Sequence, residues 1–118
     1  MKKILGIELG STRIKSVLID ESASVIAQGS YEWENTLIDG LWSYSLENVE
    51  KGLQASFADL INNYGEAITN VDAIGISAMM HGYLAFDKDD NLLVPFRTWR
   101  NTTTAQASEE LTRELGFN

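Results

Sequence analysis

The chain has 118 residues, 44% of them hydrophobic, which suits one compact domain or part of a larger one and excludes a disordered tail. Its formal net charge of −8, from 17 acidic against 9 basic residues, argues against general nucleic-acid binding but leaves room for a small phosphate ligand held by local dipoles. The absence of cysteine excludes disulfides and thiolate metal sites, and Glu8 breaks the opening apolar run, so no signal peptide or membrane span is expected and a cytoplasmic protein is the default.

Lys3 to Leu9 reads as a short strand, and Gly10-Ser11-Thr12 as turn material. Arg13 to Ile19 alternates, with Ile14, Ser16 and Leu18 on one face, and predicts a second strand. After a turn at Asp20 to Ser24, Val25 to Trp33 predicts a third strand, interrupted by Gly29. Short turns between the three strands imply an antiparallel meander, because a parallel connection needs a crossover. Asn35 to Ser43 reads as a loop with a turn signal at Asp39-Gly40.

The period then changes. Leu46, Val49, Leu53, Phe57, Leu60, Ile61 and Tyr64 recur at steps of three and four, which predicts a helix with one apolar stripe. Ser45 is its expected N-cap and Gly65 its stop. Val71 to Ala78 predicts a buried strand. Tyr83 to Phe86 and Leu92 to Phe96 flank an acidic turn and predict a hairpin, and a last helix is expected from about Thr104 to Leu115, stopped by Gly116. The order βββ, α, β, hairpin, α predicts a mixed α/β sheet with helices packed on it, and the chain is expected to be the first part of a longer protein.

Three stretches could carry chemistry. In GIELGSTRIK, residues 6–15, a tight glycine turn between strands can present backbone N–H groups to an anionic oxygen, with Ser11 and Thr12 adding hydroxyls and Lys15 adding charge. Glu8 could hold Mg²⁺ directly or through water. The pattern is not a P-loop, since the turn leads into a strand rather than a helix. The bland alternative is a plain turn. In IGISAMMHGYLAFD, residues 74–87, the chain's one histidine, His81, follows the end of a strand, where ligands collect, and can bond sugar hydroxyls. The bland alternatives are a partly buried corner histidine and core methionines at Met79 and Met80. In PFRTWRNTTT, residues 95–104, Trp99 offers an apolar face beside polar residues, as sugar pockets do, or else packs on the neighbouring helix. Trp33 and Trp42 read as packing. The run Asp87 to Asp90 lacks EF-hand spacing and reads as a solvated turn.

Together, GIELGSTRIKSVLID, ISAMMHG and PFRTWRN resemble, in order and spacing, the N-terminal part of the FGGY carbohydrate kinases, most closely the pentulose and hexulose kinases of the xylulokinase type. The resemblance implies a ribonuclease-H-like fold of the actin and hexokinase kind, in which two domains close on a cleft and a phosphoryl group passes from MgATP to a sugar hydroxyl. It implies that Gly10, Ser11, Thr12 and Lys15 lie by the ATP phosphates, that Glu8 replaces the family's Mg²⁺-associated Asp, and that Met80, His81, Trp99 and Asn101 lie on the sugar side. Glu8 keeps the charge on a longer arm; Asn101 stands where many members have Asp, and Thr103 where many have Arg. The family's catalytic base is a later Asp that no residue here matches, and its adenine site is in the second domain, so the isolated chain is expected to be inactive. Expected partners are a ketose or related sugar and the rest of its own chain, with neither nucleic acid nor membrane, and a homodimer through exposed sheet is open. The alternative reading is a non-kinase actin-like ATPase, acting as a nucleotide-gated binding module.

Overall fold

The computed structural model describes residues 1–98 and 100–116. Its first sheet is built from β1 (Ile4–Leu9), β2 (Arg13–Ile19), β3 (Val25–Glu32) and β6 (Ala73–Ala78), in the order β3-β2-β1-β6. The first three strands form the antiparallel meander that their short turns require, and β6 lies parallel to β1. A second, smaller sheet has the order β4-β5-β8-β7, from β4 (Thr36–Ile38), β5 (Leu41–Tyr44), β7 (Gly82–Tyr83) and β8 (Phe96–Thr98). The two helices are α1 (Leu46–Tyr64) and α2 (Ala105–Leu115).

The alternation of β2 is realised as read. Ile14, Ser16 and Leu18 are buried, and their register partners Leu9, Ile7 and Leu5 point to the same face. Helix α1 covers that face over β2 and β3. Ser45 caps it by accepting a hydrogen bond from the N–H of Asn48 at 3.0 Å, and Gly65 ends it in the left-handed region, donating to Ile61 O at 2.9 Å. One core joins Leu5, Leu18, Ala27 and Leu60, and a second joins Ile14, Trp33, Tyr44 and Phe96, so that the second core ties the two sheets together.

Four expectations change. The Asn35–Ser43 loop is a hairpin: β4 pairs with β5 around Asp39-Gly40, both with positive φ, and β5 pairs onward with β8. Gly29 does not interrupt β3. It is where the helix touches the sheet, because a Cβ there would meet the backbone of Ser56 and Leu60. The line of closest contact on α1 is therefore Gly52, Ser56 and Leu60, while Leu46, expected on the stripe, is exposed. Strand β6, expected to be buried, is exposed along its length, because α1 sits at the β2–β3 end and no described element covers Ile74 and Ile76.

The hairpin expected at 83–96 keeps its acidic turn, closed by a single bridge between Phe86 and Leu92. Its regular pairing lies further out, with Gly82 opposite Thr98 and Tyr83 opposite Arg97. Asp87 organises the turn by accepting from the N–H groups of Asp89 and Asn91 and from the Asn91 side chain. Helix α2 ends at Gly116 as predicted. No helix among the described residues is long and apolar enough to cross a membrane.

Candidate functional site

The candidate site grows from one end of the parallel pair β1 and β6. Glu8 is level with Ser77 and Leu9 with Ala78, and the N–H of Met79 continues the ladder to Leu9 O at 2.9 Å. The turn Gly10–Arg13 and the segment Met79–Gly82 therefore leave the sheet side by side, about 5 Å apart at their roots. The carboxyl ends of parallel strands are where backbone paths diverge and leave space for a ligand.

The turn is tight. Gly10 N–H donates to Arg13 O at 2.9 Å, and a Cβ on Gly10 would come within 2.8 Å of the same oxygen. Glycine is required here by close approach rather than by φ, since neither Gly10, Ser11 nor Thr12 has a positive φ. Three consecutive carbonyls are turned inward and held. Trp33 Nε1–H donates to Gly10 O at 2.9 Å, Tyr44 Oη–H donates to Ser11 O, and Trp33 N–H donates to Thr12 O at 3.2 Å. The N–H groups of Ser11 and Thr12 have no partner among the described residues.

Glu8, Gly10, Ser11, Thr12, Arg13 and Lys15 surround one hollow of about 220 Å³. Glu8 and Lys15 are cross-strand partners, exposed on the sheet face opposite α1. Through Glu8 and Lys15 the hollow adjoins a larger concavity of about 780 Å³ over the open sheet face, past Gly6, Val17 and Gly75. No group of three or more His, Cys, Asp or Glu among the described residues is placed to hold a metal ion. Glu8 is the single carboxylate among the described residues lining the hollow, beside the Ser11 and Thr12 hydroxyls, which fits Mg²⁺ carried in on phosphates and keeping most of its waters.

The residues that the resemblance assigns to the sugar are less assembled. Met80 is 87% exposed and His81 is exposed just before β7; neither lines the two concavities. Met80 is thus not core filler, whereas Met79 packs against the second core. Asn101 is partly buried and its amide spans the backbone of Trp42. Its Oδ1 accepts from Trp42 N–H at 2.8 Å, and its Nδ2 donates to Trp42 O at 2.7 Å and to Thr98 O at 3.2 Å. The Arg100 guanidinium stacks 3.5 Å from the centre of the Trp42 ring. Trp99 lies outside the described residues.

Residues 3–118 match the N-terminal domain of the FGGY family of carbohydrate kinases. The chain belongs to that family. This FGGY chain is 29% identical over 119 residues to a xylulose kinase of Bacillus subtilis, covering 98% of itself and 23% of that relative. Among solved structures it superposes on a xyloylose kinase from Brucella ovis with a TM-score of 0.82 at 24% identity, covering 98% of this chain and 24% of that one. It also superposes on a gluconate kinase from Lactobacillus acidophilus with a TM-score of 0.76 at 25% identity, covering 98% and 23%. The fold is the mixed sheet of the actin and hexokinase type, as the resemblance implied. The chain spans about a quarter of the length of these relatives.

Three residues at or against the FGGY turn escaped the sequence reading. Arg13 lines the hollow and pairs with Glu32 at 3.3 Å. Trp33 and Tyr44 hold the turn's carbonyls. Trp33 could be read as apolar and destined for the core, but nothing in the local pattern says that its indole N–H reaches back 23 residues to Gly10.

Proposed function

We propose that this chain is the phosphate-contacting and sugar-binding part of an ATP-dependent kinase that transfers the γ-phosphoryl group to a hydroxyl of a ketose, a pentulose or hexulose. One observation carries the reading: the glycine turn, whose Ser11 and Thr12 N–H groups have no partner among the described residues, and the Met80-His81 segment leave adjacent ends of β1 and β6. A donor phosphate and an acceptor hydroxyl held by these two segments would lie next to each other, and phosphoryl transfer depends mainly on such positioning and on charge neutralisation. Family membership and the xylulose kinase relative support a sugar as acceptor.

In this proposal Gly10, Ser11 and Thr12 bind phosphate oxygens, and Lys15 adds positive charge at the rim. MgATP, when bound, supplies the phosphoryl group and the cation, with Glu8 receiving the cation's water shell. Met80, His81 and Trp99 bound the sugar, with His81 bonding a hydroxyl, and Asn101 fixes the backbone beside them. The catalytic base and the adenine site are assigned to sequence beyond these 118 residues, so the isolated chain has no turnover. A cytoplasmic location follows from the substrate pair, ATP and a free sugar.

The test is an ADP-release assay on the full reading frame with a panel of ketoses and sugar acids, run beside the 118-residue chain and a full-length His81→Ala variant. The expected result is ketose-dependent turnover in the full protein, at least about tenfold weaker kcat/KM in the variant, equal to roughly 1.4 kcal/mol, and none in the short chain. Turnover with no dependence on any sugar would overturn the proposal in favour of a nucleotide-gated module.

A further inference from the structure

We infer that Tyr44, with Trp33, is a positioning residue for phosphate binding, holding the Gly10–Thr12 turn in its receptive form and tying it to the sheet that bears the sugar-side strand. The inference rests on the reading of that turn as a phosphate site.

A two-residue turn offers its N–H groups to a ligand only if its peptide planes are fixed. Each peptide carries N–H and C=O on opposite sides, so holding a carbonyl inward directs the next residue's N–H outward. Here Gly10 O fixes the N–H of Ser11 and Ser11 O fixes that of Thr12. The donors are Trp33 Nε1–H and Tyr44 Oη–H respectively. Neither N–H group has a partner among the described residues. Without the inward bonds either plane could flip, placing a carbonyl dipole where an anion must sit.

The donors are themselves rigid. Tyr44 is 1% exposed and Trp33 4%, and their rings stack at 4.2 Å between centroids and 20° between planes. On its other side Tyr44 meets Phe96, 5.3 Å away. Phe96 opens β8, the strand that runs to Arg97 and Thr98, and Thr98 O in turn accepts from Asn101. Tyr44 thus belongs to the second sheet by its backbone and to the turn of the first sheet by its hydroxyl. A buried phenol needs a partner, and this one is spent on a single carbonyl in the turn.

The test uses the full reading frame, ¹⁵N-labelled at serine, threonine and tryptophan and titrated with inorganic pyrophosphate, followed by the amide resonances of Ser11 and Thr12 and the indole N–H resonance of Trp33. In the parent chain all three should shift along one binding curve. Tyr44→Phe keeps the ring stack and deletes only the hydroxyl. It should weaken pyrophosphate affinity at least fivefold while the Ser56 amide resonance of α1 stays in place. Parent binding with unaltered affinity in Tyr44→Phe would overturn the inference and leave the phosphate reading standing. No response in the parent chain would overturn both. Should Tyr44→Phe fail to fold, Trp33→Phe, which deletes the bond to Gly10 O, and the parent's indole resonance decide: an indole signal unmoved while Ser11 and Thr12 shift overturns the inference.

Discussion

Replacing Gly29 by Ala tests the contact that seats α1 on the sheet. Gly29 pairs with Ser16 in the middle of the β2–β3 ladder, and a Cβ built on it falls into the backbone of Ser56 and Leu60, with Leu60 Cα at 2.8 Å. Backbone atoms of a helix cannot rotate away. The helix must lift by at least about 1 Å, since Leu60 Cα alone needs that much to reach an ordinary carbon separation of roughly 3.5–4.0 Å and the backbone N of Leu60 and O of Ser56 lie nearer still. That movement stretches the Ser16–Ser56 hydroxyl bond, 2.9 Å long, out of hydrogen-bonding range. Ser56 keeps its bond to Leu53 O, but Ser16, 2% exposed, loses the one side-chain partner it has among the described residues. Leaving that hydroxyl unmet costs about 1–3 kcal/mol, and overpacking strain adds about 1–3 kcal/mol. Replacing glycine by alanine in a strand returns roughly 0.5–1 kcal/mol. The net loss is about 3 kcal/mol, a large share of the roughly 5–15 kcal/mol that holds a domain folded. Urea unfolding followed by tryptophan fluorescence and far-ultraviolet circular dichroism should show a lower midpoint with an unchanged slope. Gly75→Ala is the matched control, since a Cβ there meets nothing within 4 Å. It should be neutral or stabilising by up to about 1 kcal/mol. Equal midpoints for the two variants, or a loss below about 0.5 kcal/mol for Gly29→Ala, a change typical of an ordinary surface site, would refute the close-contact reasoning.

Other residues give sharp outcomes as well. Asn101→Ala removes the amide that bonds Trp42 N–H, Trp42 O and Thr98 O, and should cost about 1–3 kcal/mol in the same urea experiment; a variant as stable as its parent would show that these bonds are replaced by water at no loss. The Asp87 carboxyl is held below its ordinary value of 3.8 by the N–H of Asn91, then by the Asn91 side chain and the N–H of Asp89. A depressed value means that the folded turn prefers the ionised form, so its contribution is complete above about pH 4 and is lost as the pH falls through the depressed value. Carboxyl ¹³C titration should give Asp87 a midpoint below 3.8, with the Asp89 and Asn91 amides moving in the same window, and a midpoint at or above 3.8 would contradict the geometry.

Local chemistry determined much of this protein. The alternation of Arg13–Ile19, the Ser45 cap, the Gly65 and Gly116 stops and the glycine turn after Glu8 all depend on residues within a few positions of one another, and all stand in the structure as read. The family resemblance was legible for the same reason, since its three motifs are short and contiguous. Tertiary structure decided the rest. Strands β4 and β5 are too short to show a period, and β5 is secured by β8, more than fifty residues away. Gly29 looked like a break because its purpose is a helix from elsewhere in the chain. Ile74 and Ile76 carry the apolar pattern of a buried strand, yet burial depends on what covers the sheet, and α1 covers its other end. The candidate site divides in the same way: the glycine turn comes from its own local sequence, but the carbonyls of Gly10 and Ser11 are held by Trp33 and Tyr44, whose hydrogen bonds exist only once the two sheets have met around a common core.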